Sequence, residues 1–229
     1  MHLFRFRFLV VALVCVVAAN AFVSQRNLPK QARTALNKMM GQTEESSLDA
    51  MLTPERANAL LTQACETRDV APDLLLDSIV FLEREQRRRR RGGGGGGGGS
   101  ASGDLERVSG CWQLVFTTGD KKTEKNFGRI NYFPVKAVQC FDAQTMGITN
   151  GIFLGDFALL KFFGTFTWID ERTRLEFDFD KVAVLGLEFG FGQKEPPKVP
   201  PAFNFIAIEE KIVVARGAGG GLALWKRVG

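Results

Sequence analysis

Apolar and polar residues alternate through the second half of the chain. From residue 104 onward, runs such as "CWQLVFTT" and "RLEFDFDKVAV" are separated by turn residues, a pattern typical of antiparallel strands. A spacing of about 10 to 14 residues per strand and turn predicts roughly 8 to 10 strands over residues 104–229. Because a curled sheet of this size loses its exposed edges when it closes, we predict a mainly β fold built on a closed antiparallel β-barrel.

The two ends of this region carry residues suited to closing the barrel. Trp112 lies in the first strand, two residues after Gly110, while Arg216 and Arg227 lie in the last two strands. The first and last strands of an up-and-down barrel are neighbours, so an arginine there can lie over the indole face, a cation–π contact worth about 0.5–2 kcal/mol. We therefore predict that Trp112, Arg216 and Arg227 close one end, where Gly110 lets the chain enter tightly. An ordinary core tryptophan is the alternative.

A helical period replaces the alternation between residues 44 and 86. One helix is predicted to start at Pro54 with Thr53 as its N-cap, and a second at Pro72. Apolar residues recur on one face of each helix: Leu60, Leu61, Ala64 and Cys65 in the first, and Leu75, Ile79 and Leu82 in the second. Two short helices are marginal alone, so we expect them to pack on the barrel or on each other. The alternative is a hairpin that docks a protein partner.

Residues 87–103 have the composition of a flexible linker, with five arginines, eight glycines and a short Ser-Ala-Ser-Gly run. The arginines supply much of the net charge of +5. They form one linear block and are not interleaved with aromatic residues on a folded surface, so the sequence predicts no nucleic-acid partner. A second hypothesis is that the arginines bind anionic lipid, at about 1 kcal/mol per charge.

The N-terminal segment has the features of a two-part targeting sequence. Residues 1–21 combine a basic start, a short apolar run and an A-x-A site, as in a secretory signal peptide. Residues 22–43 are basic and acid-poor, like a plastid transit peptide, and cleavage after Ala21 would expose Phe22. "ANAFVSQR" resembles the junction in the bipartite presequences of algae whose plastids have a secondary origin. We predict plastid localisation, with secretion as the alternative.

The titratable side chains limit the chemistry that the mature protein can perform. His2 is the one histidine, and it lies in the predicted signal peptide, so histidine nucleophile systems, general bases and metal ligands are excluded. Without Cys15, three cysteines remain, and their spacing predicts no zinc site. Buried free thiols are the favoured interpretation, and a disulfide between Cys111 and Cys140 is the alternative if their strands are neighbours. The odd number of cysteines also favours a plastid over an oxidising exterior.

The aromatic content points to an apolar ligand. Most of the 20 phenylalanines fall in the β region, and a small barrel is either filled by side chains or holds one small ligand. We predict that five residues line the ligand: Trp112, Phe116, Phe166, Trp168 and Phe177. Asp178 and Asp180 alternate with phenylalanine and are therefore expected on the solvent face, so no catalytic residue, metal or cofactor is predicted. Phe189 and Phe191, among glycines, are typical of a surface that touches lipid or a partner.

Three segments resemble the plastid lipid-associated proteins, the plastid fibrillins. The helix "LLDSIVFLERE" stands where that family has its helix before the barrel. The strand "SGCWQLVFTTG" is similar to the family's "GxWxLxYTT" opening, with matches at Gly110, Trp112, Leu114, Thr117 and Thr118, and with Phe116 in place of tyrosine. The segment "FNFIAIEEKIVVARGAGGGLALWKR" resembles the closing hairpin, with matches at Arg216, Gly217 and Arg227. The arginine- and glycine-rich connection departs from the family's Asn-Pro, and "FIAIEEK" stands in place of the family's acidic-tyrosine pattern before the turn.

The resemblance spans roughly residues 72–229 and implies a lipocalin-like barrel without catalysis. It implies binding of an apolar lipid or isoprenoid at thylakoids or plastid lipid globules, so the expected partners are that ligand and a membrane or globule surface. The alternative is a structural or interaction protein with a filled barrel, which coats lipid droplets or docks on a thylakoid membrane complex. An enzyme of the lipocalin type is the third and least favoured hypothesis.

Overall fold

The computed structural model describes residues 52–91, 103–119, 132–192 and 199–229. Within these ranges lie three α-helices: α1 (Pro54–Thr67), α2 (Pro72–Arg91) and α3 (Asp104–Val108). The same ranges contain nine strands: β1 (Gly110–Thr117), β2 (Lys136–Asp142), β3 (Gly147–Leu154), β4 (Phe157–Ile169), β5 (Arg174–Val184), β6 (Leu187–Gly190), β7 (Ala202–Ile208), β8 (Ile212–Gly217) and β9 (Leu222–Val228). The predicted signal peptide (1–21), transit peptide (22–43) and most of the predicted linker lie outside the described residues.

Eight of the strands close into an antiparallel barrel. Each pairs with the next in the order β1, β2, β3, β4, β5, β7, β8 and β9, and β9 pairs back onto β1. The mainly β fold, a lipocalin-like barrel preceded by helices, is therefore confirmed. The remaining strand, β6, pairs with the last residues of β5 beyond the point where β7 stops. It contains Phe189, one of the two phenylalanines that lie among glycines in the sequence.

Strand alternation divides the apolar residues between two sides of the sheet. One set fills the barrel interior, and it includes Trp112, Phe141, Phe166, Phe205 and Trp225. Outward residues of β8 and β9, such as Ile212, Val214 and Leu224, are also buried. The helices cover the barrel wall, α1 on β8 and β9 and α2 on β7. The expectation that the helices pack on each other and on the barrel is therefore confirmed.

Helix α2 is longer than the sequence pattern predicted. The expected helical segment ended at residue 86, whereas α2 continues to Arg91 and includes the whole arginine run. Two contacts explain the difference: Arg87 pairs with Glu83 one turn earlier, and Arg90 Nη2 donates to Thr173 Oγ1 at 2.9 Å. Arginine is also a good helix former whose charge is favourable at a helix C-terminus. Assigning residues 87–91 to a flexible linker was therefore wrong. No helix in the described ranges is both long and apolar enough to cross a membrane.

Cys111 and Cys140 form a disulfide, so the preferred interpretation of buried free thiols was wrong for this pair. The two residues lie directly opposite each other on β1 and β2. They face outward, because their neighbours Trp112 and Phe141 face the interior. Cys65 of α1 is free and buried, and burial raises the pKa of its thiol to about 12. A disulfide removes the cysteine count as an argument for a plastid over an oxidising compartment.

Candidate functional site

One end of the barrel is closed by Trp112 and Arg227. Trp112 is fully buried, and its indole N–H donates to the carbonyl oxygen of Val108 at the end of α3, 2.6 Å away. Trp112 and Arg227 lie opposite each other on β1 and β9, and the guanidinium carbon of Arg227 lies 4.1 Å from the centroid of the indole ring. Gly110 has φ +118°, and a β-carbon there would lie 2.7 Å from Arg227 Nη1, so glycine fits where the chain enters.

Arg227 of β9 also links its own strand to two other backbone segments at this end. Its Nε donates to the carbonyl of Glu210, its Nη1 to that of Ser109 and its Nη2 to that of Arg107. These acceptors belong to the β7–β8 turn and to the end of α3. A planar guanidinium with five N–H donors can satisfy three carbonyls and still stack on an indole. The closed end is therefore a single hydrogen-bonded unit.

Arg216 does not take part in closing the barrel, so that assignment was wrong. It lies nearer the other end of β8 and forms a two-point ion pair with Glu83 of α2, with N–O distances of 2.8 and 2.7 Å. Its Nη1 also donates to the carbonyl of Gly220. The hydrogen bonds from Arg216 hold the pKa of the Glu83 carboxyl below its ordinary value. Arg216 thus fastens α2 to the barrel wall.

Aromatic rings form the interior wall above the closed end. Phe177 stacks on Phe203, with ring centroids 5.0 Å apart, and Phe203 meets Trp225 edge to face at 5.5 Å. Phe177 also contacts Phe179, which in turn contacts Phe162. These rings point inward, yet Phe162, Phe177, Phe179 and Phe203 are only half-buried. Part of the surface of each of these inward rings is therefore left uncovered by the protein's own side chains.

Four of the five predicted lining residues are in the interior. Phe166 and Phe177 belong to the aromatic wall, and Trp168 packs against Phe205 with 5.7 Å between ring centroids. Trp112 forms the floor at the closed end. The three tryptophans of the chain, Trp112, Trp168 and Trp225, therefore all line the interior.

Phe116 faces outward, so its assignment as a lining residue was wrong. Alternation from Trp112 through Leu114 places Phe116 inside, but the pairing of β1 with β9 shifts by one residue between Leu114 and Phe116. Such a bulge moves all later side chains to the opposite face. Phe116 consequently pairs with outward-facing Leu224 and contacts Tyr132 edge to face at 6.0 Å.

Two carboxamides interrupt the apolar wall, and sequence reasoning missed both. Gln139 of β2 lies directly opposite Trp112 on one side and Asn150 of β3 on the other, so the three side chains share the inward face. Gln139 is 5% exposed, and its Nε2 has no hydrogen-bond partner. Asn150 is half-buried. The segment "AVQCF" held a usable signal, because Gln139 is two residues before the aromatic Phe141 and therefore on the same strand face.

Exposed apolar side chains cluster at the end opposite Trp112. The β3–β4 turn presents Leu154 and Phe157, which are 69% and 58% exposed, and the β5–β6 turn presents Leu185 and Leu187. The two turns are neighbours, since Leu185 N–H donates to the carbonyl of Leu159 on β4. Phe189, 52% exposed, follows on β6, whereas Phe191 packs near Phe162. We call Leu154, Phe157, Leu185, Leu187 and Phe189 the apolar rim.

Comparison with known proteins adds no family assignment. No protein-family model matches the chain, and no curated protein matches it. The similarity to the plastid fibrillins therefore rests on the sequence segments quoted above.

Proposed function

We propose that the protein binds an apolar lipid or isoprenoid inside the barrel and carries it without catalysing a reaction. The observation that carries the proposal is the set of half-buried aromatic rings that point into a closed barrel. Asp178 and Asp180 are exposed, as the alternation predicted, so these acids do not reach the interior. The interior residues offer contact area for a hydrocarbon and few groups for proton transfer.

The expected affinity follows from burial of the ligand's own surface. Each buried methylene contributes about 0.8 kcal/mol, so a tail of about 16 carbons contributes about 13 kcal/mol. Association costs about 4 kcal/mol or more in lost motion. The balance of about 9 kcal/mol corresponds to a dissociation constant of about 0.3 μM.

The proposed setting is the plastid, at thylakoids or lipid globules, as for the fibrillins. The two-part N-terminal segment over residues 1–43 and the opening and closing motifs of the barrel support this setting. Expression of the full chain with a C-terminal fluorescent protein tests it. Fluorescence inside the plastid is the expected result, and fluorescence only in the secretory pathway would support the alternative of secretion.

Tryptophan quenching tests ligand binding, because every tryptophan of the chain lines the interior. A lipid brominated along its tail should quench the fluorescence of the purified protein and saturate at one lipid per chain. Phe162 and Phe163 provide a matched pair: they are adjacent on β4, Phe162 faces Phe179 inside, and Phe163 lies under Lys181 outside. Phe162→Gln should weaken binding, while Phe163→Gln should leave it unchanged. Absence of saturable quenching in the wild type would overturn the proposal.

The apolar rim favours a second candidate, a protein that coats or docks on a lipid surface. Its side chains sit among ion pairs that neutralise one another, Lys136 with Asp156 and Lys181 with Glu188. A charge-balanced rim fits the surface of a neutral lipid globule or membrane. Flotation with droplets of neutral lipid tests this candidate: Phe157→Ser combined with Leu185→Ser should abolish co-flotation. If the wild type co-floats but no lipid quenches its tryptophans, the coating function replaces the carrier function.

A further inference from the structure

We propose that the paired carboxamides of Gln139 and Asn150 bind a neutral carbonyl or quinone oxygen at the head of an otherwise apolar ligand. This inference rests on the proposed lipid-binding function and assigns the ligand's chemical class. It starts from Gln139 Nε2, a hydrogen-bond donor that is buried in the barrel and has no partner. Buried polar groups in proteins nearly always have a partner, so an unpaired one requires an explanation.

The residues on the strands beside Gln139 do not supply a partner for its Nε2. Trp112 on the neighbouring strand gives its own N–H to Val108, and Asn150 is the opposing residue on the other side. Opposed side chains on antiparallel strands have β-carbons about 4.5–5.5 Å apart, so the two amides form one polar spot. Asn150 in turn lies opposite Phe162, whose ring is half-buried. The polar spot therefore lies between the closed end and the aromatic wall.

The chemistry of the spot selects the ligand's head group. A carboxamide N–H donates to an oxygen acceptor, and the second amide can either donate or accept. Arg227 stacks on Trp112 at the closed end, and its guanidinium is already engaged by three carbonyls and the indole. A carboxylate would lack a counter-charge here, and burial of an unpaired charge is costly. A neutral carbonyl or quinone oxygen is satisfied by N–H donors without a charge.

A ligand placed this way has its oxygenated head near Trp112 and its tail along the phenylalanines. Phe162 and Phe179 are in contact, and Phe179 contacts Phe177, so a continuous aromatic surface leads away from the polar spot. The site should consequently discriminate between lipids with the same tail. An oxygenated head gains the amide hydrogen bonds, whereas a plain hydrocarbon leaves Gln139 unpaired.

Paired ligands and paired variants test the inference. The probes are a prenylated benzoquinone and a hydrocarbon with the same prenyl tail, each titrated by tryptophan quenching. Gln139→Leu removes the donor with little change in size. Gln113→Leu is the matched control, because Gln113 is the residue after Trp112 on β1 and faces outward opposite Val138. The wild type should bind the quinone about tenfold more tightly than the hydrocarbon, which is the effect of one well-placed buried hydrogen bond.

Gln139→Leu should remove this preference by weakening quinone binding about tenfold while leaving hydrocarbon binding unchanged or tighter. Gln113→Leu should keep the wild-type preference. Equal loss of both ligands in Gln139→Leu would mean that Gln139 only shapes the cavity and would overturn the inference. An unchanged preference in that variant would also overturn it. If the wild type binds neither probe, the lipid-binding function itself fails, and that result is distinct from binding both probes equally.

Discussion

Gln139→Leu is expected to make the ligand-free protein more stable while it impairs ligand selection. The structure buries the Gln139 side chain to 5% exposure and leaves its Nε2 unpaired. An unsatisfied buried polar group costs about 1–3 kcal/mol, and that cost disappears when a side chain of similar size without polar atoms replaces it. We therefore expect Gln139→Leu to raise the free energy of unfolding by about 1–2 kcal/mol. For a chain of this length, the melting temperature should rise by about 2–8 °C.

Urea denaturation followed by circular dichroism measures this change, with Gln113→Leu as the control. Gln113 lies outside the barrel, so its substitution should change the free energy of unfolding by less than about 0.5 kcal/mol. Addition of a saturating quinone should close most of this gap, because tenfold tighter binding gives the wild type about 1.4 kcal/mol of stabilisation that the variant lacks. A loss of 1 kcal/mol or more in ligand-free Gln139→Leu would show that Gln139 already has a partner, and the polar-spot interpretation would then be wrong.

Three further predictions follow from the closed end, the disulfide and the helix attachment. Arg227→Ala should lower the free energy of unfolding, measured in urea, by about 2–4 kcal/mol, because the cation–π contact and three charge-assisted hydrogen bonds are lost together. Arg227→Lys should recover less than half of this lost stability. A loss below about 0.5 kcal/mol in Arg227→Ala would contradict the role of Arg227 in closing the barrel. The double substitution Cys111→Ser and Cys140→Ser should lower the free energy of unfolding by about 3.5 kcal/mol, because the unfolded chain regains the entropy of a loop with a 29-residue separation. Equal stability of the oxidised wild type and the double-serine protein in thermal melts would refute this prediction. Glu83 has a folded-state pKa below its ordinary value, so its ion pair stabilises the protein fully above about pH 5 and loses its contribution as the pH falls through the folded pKa. The stability difference between the wild type and Glu83→Gln should accordingly shrink on acidification from pH 6 to pH 3, and a constant difference would exclude a role for the ionised pair.

Barrel closure was predictable because it follows from strand number and from the residues at the two ends. The alternation over residues 104–229 identified most strands, and Trp112 with Arg227 marked the strands that meet. Arg216 occupies an equivalent place near the end of its strand, yet its partner is Glu83 on a helix more than a hundred residues earlier. Sequence alone does not show which acid a helix will bring to an arginine on the outer wall.

The lining residues were predictable only as far as strand alternation is regular. Phe166 and Phe177 follow a strict period of two and lie inside as expected. Phe116 follows the same period, but a one-residue bulge in β1 turns it outward. A bulge depends on the register between two strands that are distant in sequence, and no residue in "WQLVF" indicates where it occurs. The same limit applies to Cys111 and Cys140, whose pairing depends on the register between β1 and β2.

The candidate ligand site was only half predictable. Aromatic content indicated an apolar interior, whereas the polar spot required knowing that Gln139 and Asn150 lie opposite each other on β2 and β3. These residues indicate a ligand site because Gln139 Nε2 has no hydrogen-bond acceptor among the residues that the structure describes. Such an unmet hydrogen bond is a property of three-dimensional packing, and no local sequence pattern encodes it.

Anomalous diffraction from crystals grown with a tail-brominated lipid tests most directly whether the barrel interior holds a ligand. We predict bromine density inside the barrel, close to the rings of Phe177 and Phe203, at one site per chain. Bromine density confined to the apolar rim, with side chains unmoved in the interior, would contradict the proposed carrier function.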